Sequence, residues 1–340
     1  MLANASSGNS VAEDALAASL MLGMSSAGLV ANALTVWKLP TLPHLRHAAF
    51  TDLSVSLAIA DSIGLLGYGF YCSAITLTHS AVAQSRLGMA VTQLYFMGWF
   101  ASAFHILFIA LNRLVAVAQP LHYARCWSRP NGRRCIGVAA WLLAAASVVP
   151  YSFEACKCVF DYATYSFVWG GTDCTVVVSL YCYLFGTAVA ISILVINLYA
   201  LLMLRRGNKL VARTGSEAAS DSGSLARGEG ARRRRTELRL FVQALVNGLG
   251  FQLAPCCWSL LVPRLTDKWA LFAASTASLI VTHSTTGFLF LIMVPELRDE
   301  IAKAFKRQSG SQTRRASRCI VVYKLRPALQ SQALQSLPVA

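Results

Sequence analysis

The stretch Leu111-Asn-Arg-Leu-Val-Ala-Val-Ala-Gln-Pro-Leu-His-Tyr123 ends a long apolar run with an arginine and, a few residues later, a proline. A guanidinium is costly in hydrocarbon, so Arg113 must either snorkel to an interface or lie within a helix bundle among polar partners. Either placement sets residue 113 at the inner boundary of a membrane. A snorkelling arginine at a helix end is the commoner case, and the rest of the chain has to decide.

The flanking composition belongs to a membrane protein. Of 340 residues, 56% are hydrophobic and only 13% charged, too little polar surface to coat a soluble domain of this size. A helix needs about 20 mostly apolar residues to cross the hydrocarbon core. Such stretches run at 15–37, 52–77, 87–117, 135–153, 176–204, 236–262 and 269–293, which predicts an all-α, integral membrane bundle of seven helices. The first is the weakest, being rich in Ala, Gly and Ser, and six spans remain an alternative.

Basic residues then set the orientation, because Lys and Arg collect in cytoplasmic loops close to the span ends. With the N-terminus outside, Lys38 and Arg46 fall in the first inner loop, Arg125, Arg129, Arg133 and Arg134 in the second, and Arg205 through Arg235 in the third. More bases follow residue 295, while Arg86, Lys157, Arg264 and Lys268 stay outside. The expectation is a multi-pass plasma-membrane protein with an extracellular N-terminus and a cytoplasmic C-terminus. The net charge of +15 and the run Arg232–Arg235 raise nucleic acid as a partner. No soluble domain with interleaved aromatics is present to read bases, and a basic inner face is attracted to anionic membrane lipid, so no nucleic-acid partner is expected.

Residues 1–14 read as an extracellular segment without the positive start of a signal peptide, and Asn4-Ala5-Ser6 fits the N-glycosylation pattern. The membrane domain covers 15–307, with a third inner loop at 205–235 that has little to bury and should be mobile. After Pro295, the four-residue spacing of Leu297, Ile301 and Phe305 predicts a short amphipathic helix along the membrane. Residues 308–340 read as a disordered cytoplasmic tail, in which Cys319 is a candidate palmitoylation site.

Asp61, in the middle of the second span, is the side chain most in need of partners, since an intramembrane carboxylate is expensive and by default functional. Asn32, Ser102, Thr282, His283 and Thr286 lie at depths that could supply them. The cluster reads as an ion- or water-linked switch, with a sodium ion near Asp61 as one form of it, or as polar glue between helices. Pro255 should kink the sixth span and set Trp258 one turn beyond, either to sense a ligand or to pack the core. In the outer halves of the spans Tyr68, Tyr71, Tyr95, Phe96, Trp99, Trp169 and Tyr181 suit the walls of a small-molecule pocket. Aromatic residues also concentrate at membrane interfaces, so about half should line it, with Tyr95, Phe96, Trp99 and Trp169, and Trp258, as the expected lining. Cys156, Cys158 and Cys174 share the second outer loop, on the oxidising side. The expected disulfide is Cys158 with Cys174, leaving Cys156 over or in exchange, although sequence alone leaves the pairing open. No catalytic motif or metal-ligand set is present, so the chain does not read as an enzyme.

Together these residues resemble the rhodopsin-like G-protein-coupled receptors, and more closely the nematode chemoreceptor group called serpentine receptor class X. The resemblance covers about residues 20–307 and is carried by Asn32, Leu57-Ala-Ile-Ala-Asp61, Leu111-Asn-Arg-Leu with Pro120 and Tyr123, Trp141 with Pro150, Cys158-Val-Phe-Asp-Tyr162 with Trp169 and Cys174, Glu237-Leu-Arg-Leu-Phe-Val-Gln243, and His283 with Gly287. It implies an extracellular small-molecule or peptide ligand and a heterotrimeric G protein at an inner cleft centred on Arg113, flanked by Asn112 and Tyr123. Departures are visible. Asn112 stands where most relatives have an acid, Gln84 to Ala90 contain no cysteine, and Thr286-Gly-Phe-Leu-Phe290 replaces Asn-Pro-x-x-Tyr. The seventh span has no lysine, which argues against retinal bound as a Schiff base. A non-signalling membrane protein, a transporter or a decayed receptor, is the alternative.

Overall fold

The computed structural model describes residues 9–43, 45, 48–127, 129–215, 242–243, 245–304 and 306, with the backbone alone at 207–215. Asn4, Arg46, 216–235, all of the Glu237 motif but Val242 and Gln243, Phe305 and the tail from 308 lie outside these residues.

The first helix, Val11–Lys38, begins four residues before the span expected from hydropathy. The cause is local. Ser10 accepts a hydrogen bond from the Glu13 amide while Glu13 accepts from the Ser10 amide, a reciprocal cap that satisfies two otherwise orphaned donors. The segment 1–14 is therefore partly helix.

Among the described residues, six helices are long and apolar enough to cross a membrane: Val11–Thr41, Ala49–Thr78, Arg86–Ala118, Asp173–Arg206, Leu245–Arg264 and Lys268–Met293. The fourth helix, Pro130–Ser147, completes the bundle of seven but falls short, because it has 18 residues and opens with Arg133 and Arg134. The weak span is thus the fourth and not the first. Its neighbour compensates: Arg133 pairs with Asp52 of the second helix at 3.2 Å, and the Trp141 indole donates to Ser56 Oγ at 2.9 Å.

The fifth helix continues to Gly215, so the first part of the expected loop at 205–235 is helical. No proline interrupts it there, and Leu201 to Arg206 are good helix formers. Leu180, Leu184, Ile191, Leu194 and Leu198 remain exposed at helical spacing, a face suited to lipid. Among the described residues π turns lie at Gly67–Cys72 in the second helix, Cys257–Leu261 in the sixth and Ala273–Ala277 in the seventh, and a fourth, Tyr123–Trp127, lies between the third and fourth helices.

Between the fourth and fifth helices the chain forms a hairpin, β1 (Cys158–Asp161) antiparallel to β2 (Ser166–Trp169), with Phe160 opposite Phe167 and Cys158 opposite Trp169. It lies at the end of the bundle opposite Arg113. Beyond Val294, residues 295–304 form a separate short helix carrying Leu297 and Ile301.

Candidate functional site

The costly carboxylate finds its partners within the chain. Asp61 Oδ1 accepts from Ser102 Oγ of the third helix at 2.7 Å and lies 2.8 Å from His283 Nδ1 of the seventh. Both Asp61 and His283 are buried, and Asp61 Oδ2 and His283 Nε2 have no hydrogen-bond partner among the described residues. A Cβ on Gly64 would lie 2.9 Å from the imidazole, so only glycine leaves room for the ring. Asn32 joins through the backbone, its Nδ2 donating to the His283 carbonyl at 3.2 Å. Gly287 permits this approach of the first and seventh helices, since a Cβ there would lie 2.6 Å from the backbone of Ala31 and Asn32. Thr286 is buried but is not hydrogen-bonded to Asp61.

Toward the hairpin, Tyr68 bridges this polar cluster and an aromatic layer. Its fully buried ring lies 6.3 Å from that of His283, edge-on to Tyr95 at 4.5 Å and edge-on to Phe167 of β2 at 5.7 Å. Beside that layer opens a cavity lined by Tyr95, Phe96 and Trp99 of the third helix, Trp169 of β2, Ser179, Cys182 and Tyr183 of the fifth, and Pro255, Trp258 and Ser259 of the sixth. About 60 Å³ of it admits water-sized molecules, within an envelope of about 510 Å³ that includes its open side.

The hairpin is fastened over this layer from several sides. At its tip Tyr165, fully buried, donates to Asp14 Oδ1 at 2.9 Å, and its carbonyl accepts from Thr276 at 2.6 Å. Burial, and the Asp14 carboxylate beside it, push the Tyr165 phenol well above the usual tyrosine range. Asp14 also meets His79 Nε2 at 2.7 Å and Asn9 Nδ2 at 3.1 Å, while Lys268 pairs with Glu13 at 2.8 Å.

The disulfide corrects the sequence expectation. Cys156, not Cys158, bonds Cys174, with Cα atoms 5.0 Å apart. Cys158 opens β1 opposite Trp169 and is buried, and that burial pushes its thiol well above the ordinary range. Cys156 precedes the strand on a short turn, Glu154–Cys156, next to the start of the fifth helix.

At the opposite end, the Arg113 guanidinium lies 4.9 Å from the centre of the Phe50 ring, and Phe50 in turn packs 6.1 Å from Phe290 of the seventh helix. Both terminal nitrogens of Arg113 are buried without a hydrogen-bond partner among the described residues, as is Asn112 Nδ2. Tyr123 sits half-buried in the turn Tyr123–Trp127.

The sequence matches the family described as serpentine type 7TM GPCR chemoreceptor Srx over residues 23–293. The chain belongs to that family. Squid rhodopsin shares the fold, with a TM-score of 0.72 at 11% identity over 88% of this chain and 87% of that one. The somatostatin receptor type 5 of Rattus norvegicus is 27% identical over 132 residues, 38% of this chain and about a third (36%) of that receptor. Within this Srx chain, sequence reasoning missed the hairpin and the Asp14 latch, and it offered Tyr68 as a pocket wall where the structure sets it between Tyr95, Phe167 and His283. The apolar pairs Val159-Phe160 and Phe167-Val168, separated by a turn-rich stretch, were the one signal for the hairpin.

Proposed function

We propose that this receptor is chemosensory, admits an external small molecule to the aromatic cavity and, in response, opens its Arg113 end to a heterotrimeric G protein. The observation that carries the reading is the unbroken contact from cavity wall and hairpin through Tyr68 to the Asp61–His283 pair. A ligand that displaces Tyr95 or Phe167 acts directly on the ring touching that pair. The small cavity beneath a fastened hairpin favours a small molecule over a peptide.

An extracellular N-terminus at the plasma membrane is supported by the basic loops and by a second argument. Asn9 and Asp14 bond the same loop that holds the Cys156–Cys174 disulfide, so the N-terminus shares the compartment in which disulfides persist. Ser102 and His283 both engage Asp61 Oδ1, so a sodium ion at this cluster would bind through Oδ2, the carboxylate oxygen they leave open. Retinal is not assigned, since Lys268, at the start of the seventh span, is held by Glu13.

Nucleotide exchange on a purified G protein tests the proposal. Arg113→Ala should reach the surface, because deleting a poorly partnered charge costs the bundle little, yet ligand-stimulated exchange should fall about tenfold or more. A wild-type response at matched surface density would reduce Arg113 to a snorkelling side chain and remove the coupling role.

A further inference from the structure

We infer that the cavity selects uncharged, aromatic small molecules and rejects amines and carboxylates of the same size; this rests on the cavity being the ligand site. An ion carried into a membrane-embedded cavity loses its water and needs a countercharge. The lining supplies none, having no Asp, Glu, Lys, Arg or His. Charges nearby are already engaged. Asp61, below, is held by Ser102 and His283; toward the hairpin, Glu13 is held by Lys268 and Asp14 by His79.

Aromatic walls can hold a cation without a carboxylate, by presenting ring faces to it. Here those faces are partly spent on one another: Trp99 stacks on Phe251 at 5.2 Å, Tyr95 on Phe167 at 5.1 Å and Phe96 on Trp169 at 6.2 Å. The attraction of the remaining faces is smaller than the cost of stripping water from an ion. What the walls do offer is apolar contact and ring packing, with the hydroxyls of Ser179, Tyr183 and Ser259 for a single hydrogen-bonding group. Ser179 Oγ donates to the Val176 carbonyl at 2.9 Å, so its lone pairs stay free to accept. The ligand class is therefore a neutral ring bearing one ketone, ether or hydroxyl group.

The test uses the full chain in lipid nanodiscs, with empty nanodiscs as the control for partitioning, and four matched probes: acetophenone, phenethylamine, phenyltrimethylammonium and phenylacetate. Binding is read by quenching of tryptophan emission, independently of any G protein. Acetophenone should bind, and each charged probe should bind at least about tenfold more weakly. Ser259→Asp, which adds a carboxylate to the lining, should reverse the order for phenethylamine. Equal or tighter binding of a charged probe, no acetophenone binding up to about 1 mM, or an unchanged order in Ser259→Asp overturns the inference. Binding in the expected order without stimulated exchange would instead count against the signalling role and leave the selectivity standing.

Discussion

The second helix has 56% of its most apolar stretch buried, whereas the corresponding figures are 22% for the fifth helix and 28% for the sixth. The difference is one of contact type as well as amount. The second helix shares the buried Asp61 cluster with the third and seventh, and the first and seventh approach closely enough at Gly287 to exclude a Cβ. The fifth and sixth leave between them part of the cavity and a second, half-open groove lined by Ile193, Leu245 and Gly248, among others. Packed interiors resist change and loosely packed ones accommodate it. One side of the bundle is tied by buried polar contacts and close helix approach, while the other presents more of its surface outward.

Glycine substitutions break this contrast most directly. Gly287→Ala should cost about 3 kcal/mol, because the new methyl would meet rigid backbone of the first helix, and should abolish surface expression. A normally expressed Gly287→Ala would show that the first and seventh helices can slide apart.

The hairpin is tied to both sides, to the seventh helix through Thr276 and to the fifth through the disulfide. Cutting the second tie with Cys156→Ser or Cys174→Ser should cost about 2 kcal/mol or more and lower surface expression, whereas Cys158→Ala should retain the crosslink. Peptide mapping of the non-reduced receptor checks this, and a Cys158–Cys174 peptide would restore the pairing expected from sequence.

Asp61→Asn keeps the side chain's shape but removes its charge. The expected loss is about 1–3 kcal/mol, with insertion intact and the agonist response altered. A wild-type dose–response curve at matched expression would leave the buried cluster as helix glue alone. The smallest effect belongs to the loose side: Gly186→Ala places a methyl at an ordinary 3.4 Å from Pro255 and should change the melting temperature by only a few degrees. A loss as large as that of Gly287→Ala would erase the distinction between the two sides.

Hydropathy made the membrane spans legible, and the cost of burying Asp61 pointed to partners far away in sequence, Ser102 and His283. Tyr95, Phe96, Trp99, Trp169 and Trp258, singled out in the sequence, line one cavity, whereas Tyr68, Tyr71 and Tyr181 of the same aromatic set do not line it. What stayed hidden depends on tertiary contact. The choice of Cys156 over Cys158 is set by the turn that brings Cys156 beside the start of the fifth helix while Cys158 is held in β1, and the Asp14 latch by a turn 151 residues away. The weakness of the fourth span was in plain view at Arg133 and Arg134, but a neighbouring carboxylate at Asp52 makes it tolerable.

Each π turn holds one residue more than the α-helical repeat requires, so everything past it is rotated by roughly 100° relative to an unbroken helix. In the second helix that turn contains Tyr68, and in the sixth it contains Trp258. Losing a single codon within either turn would carry a different set of side chains round to the ligand without any substitution in the lining. Insertion and deletion inside a helix would thus change which side chains face the cavity, and positions aligned by helix register alone will misname the residues that line it.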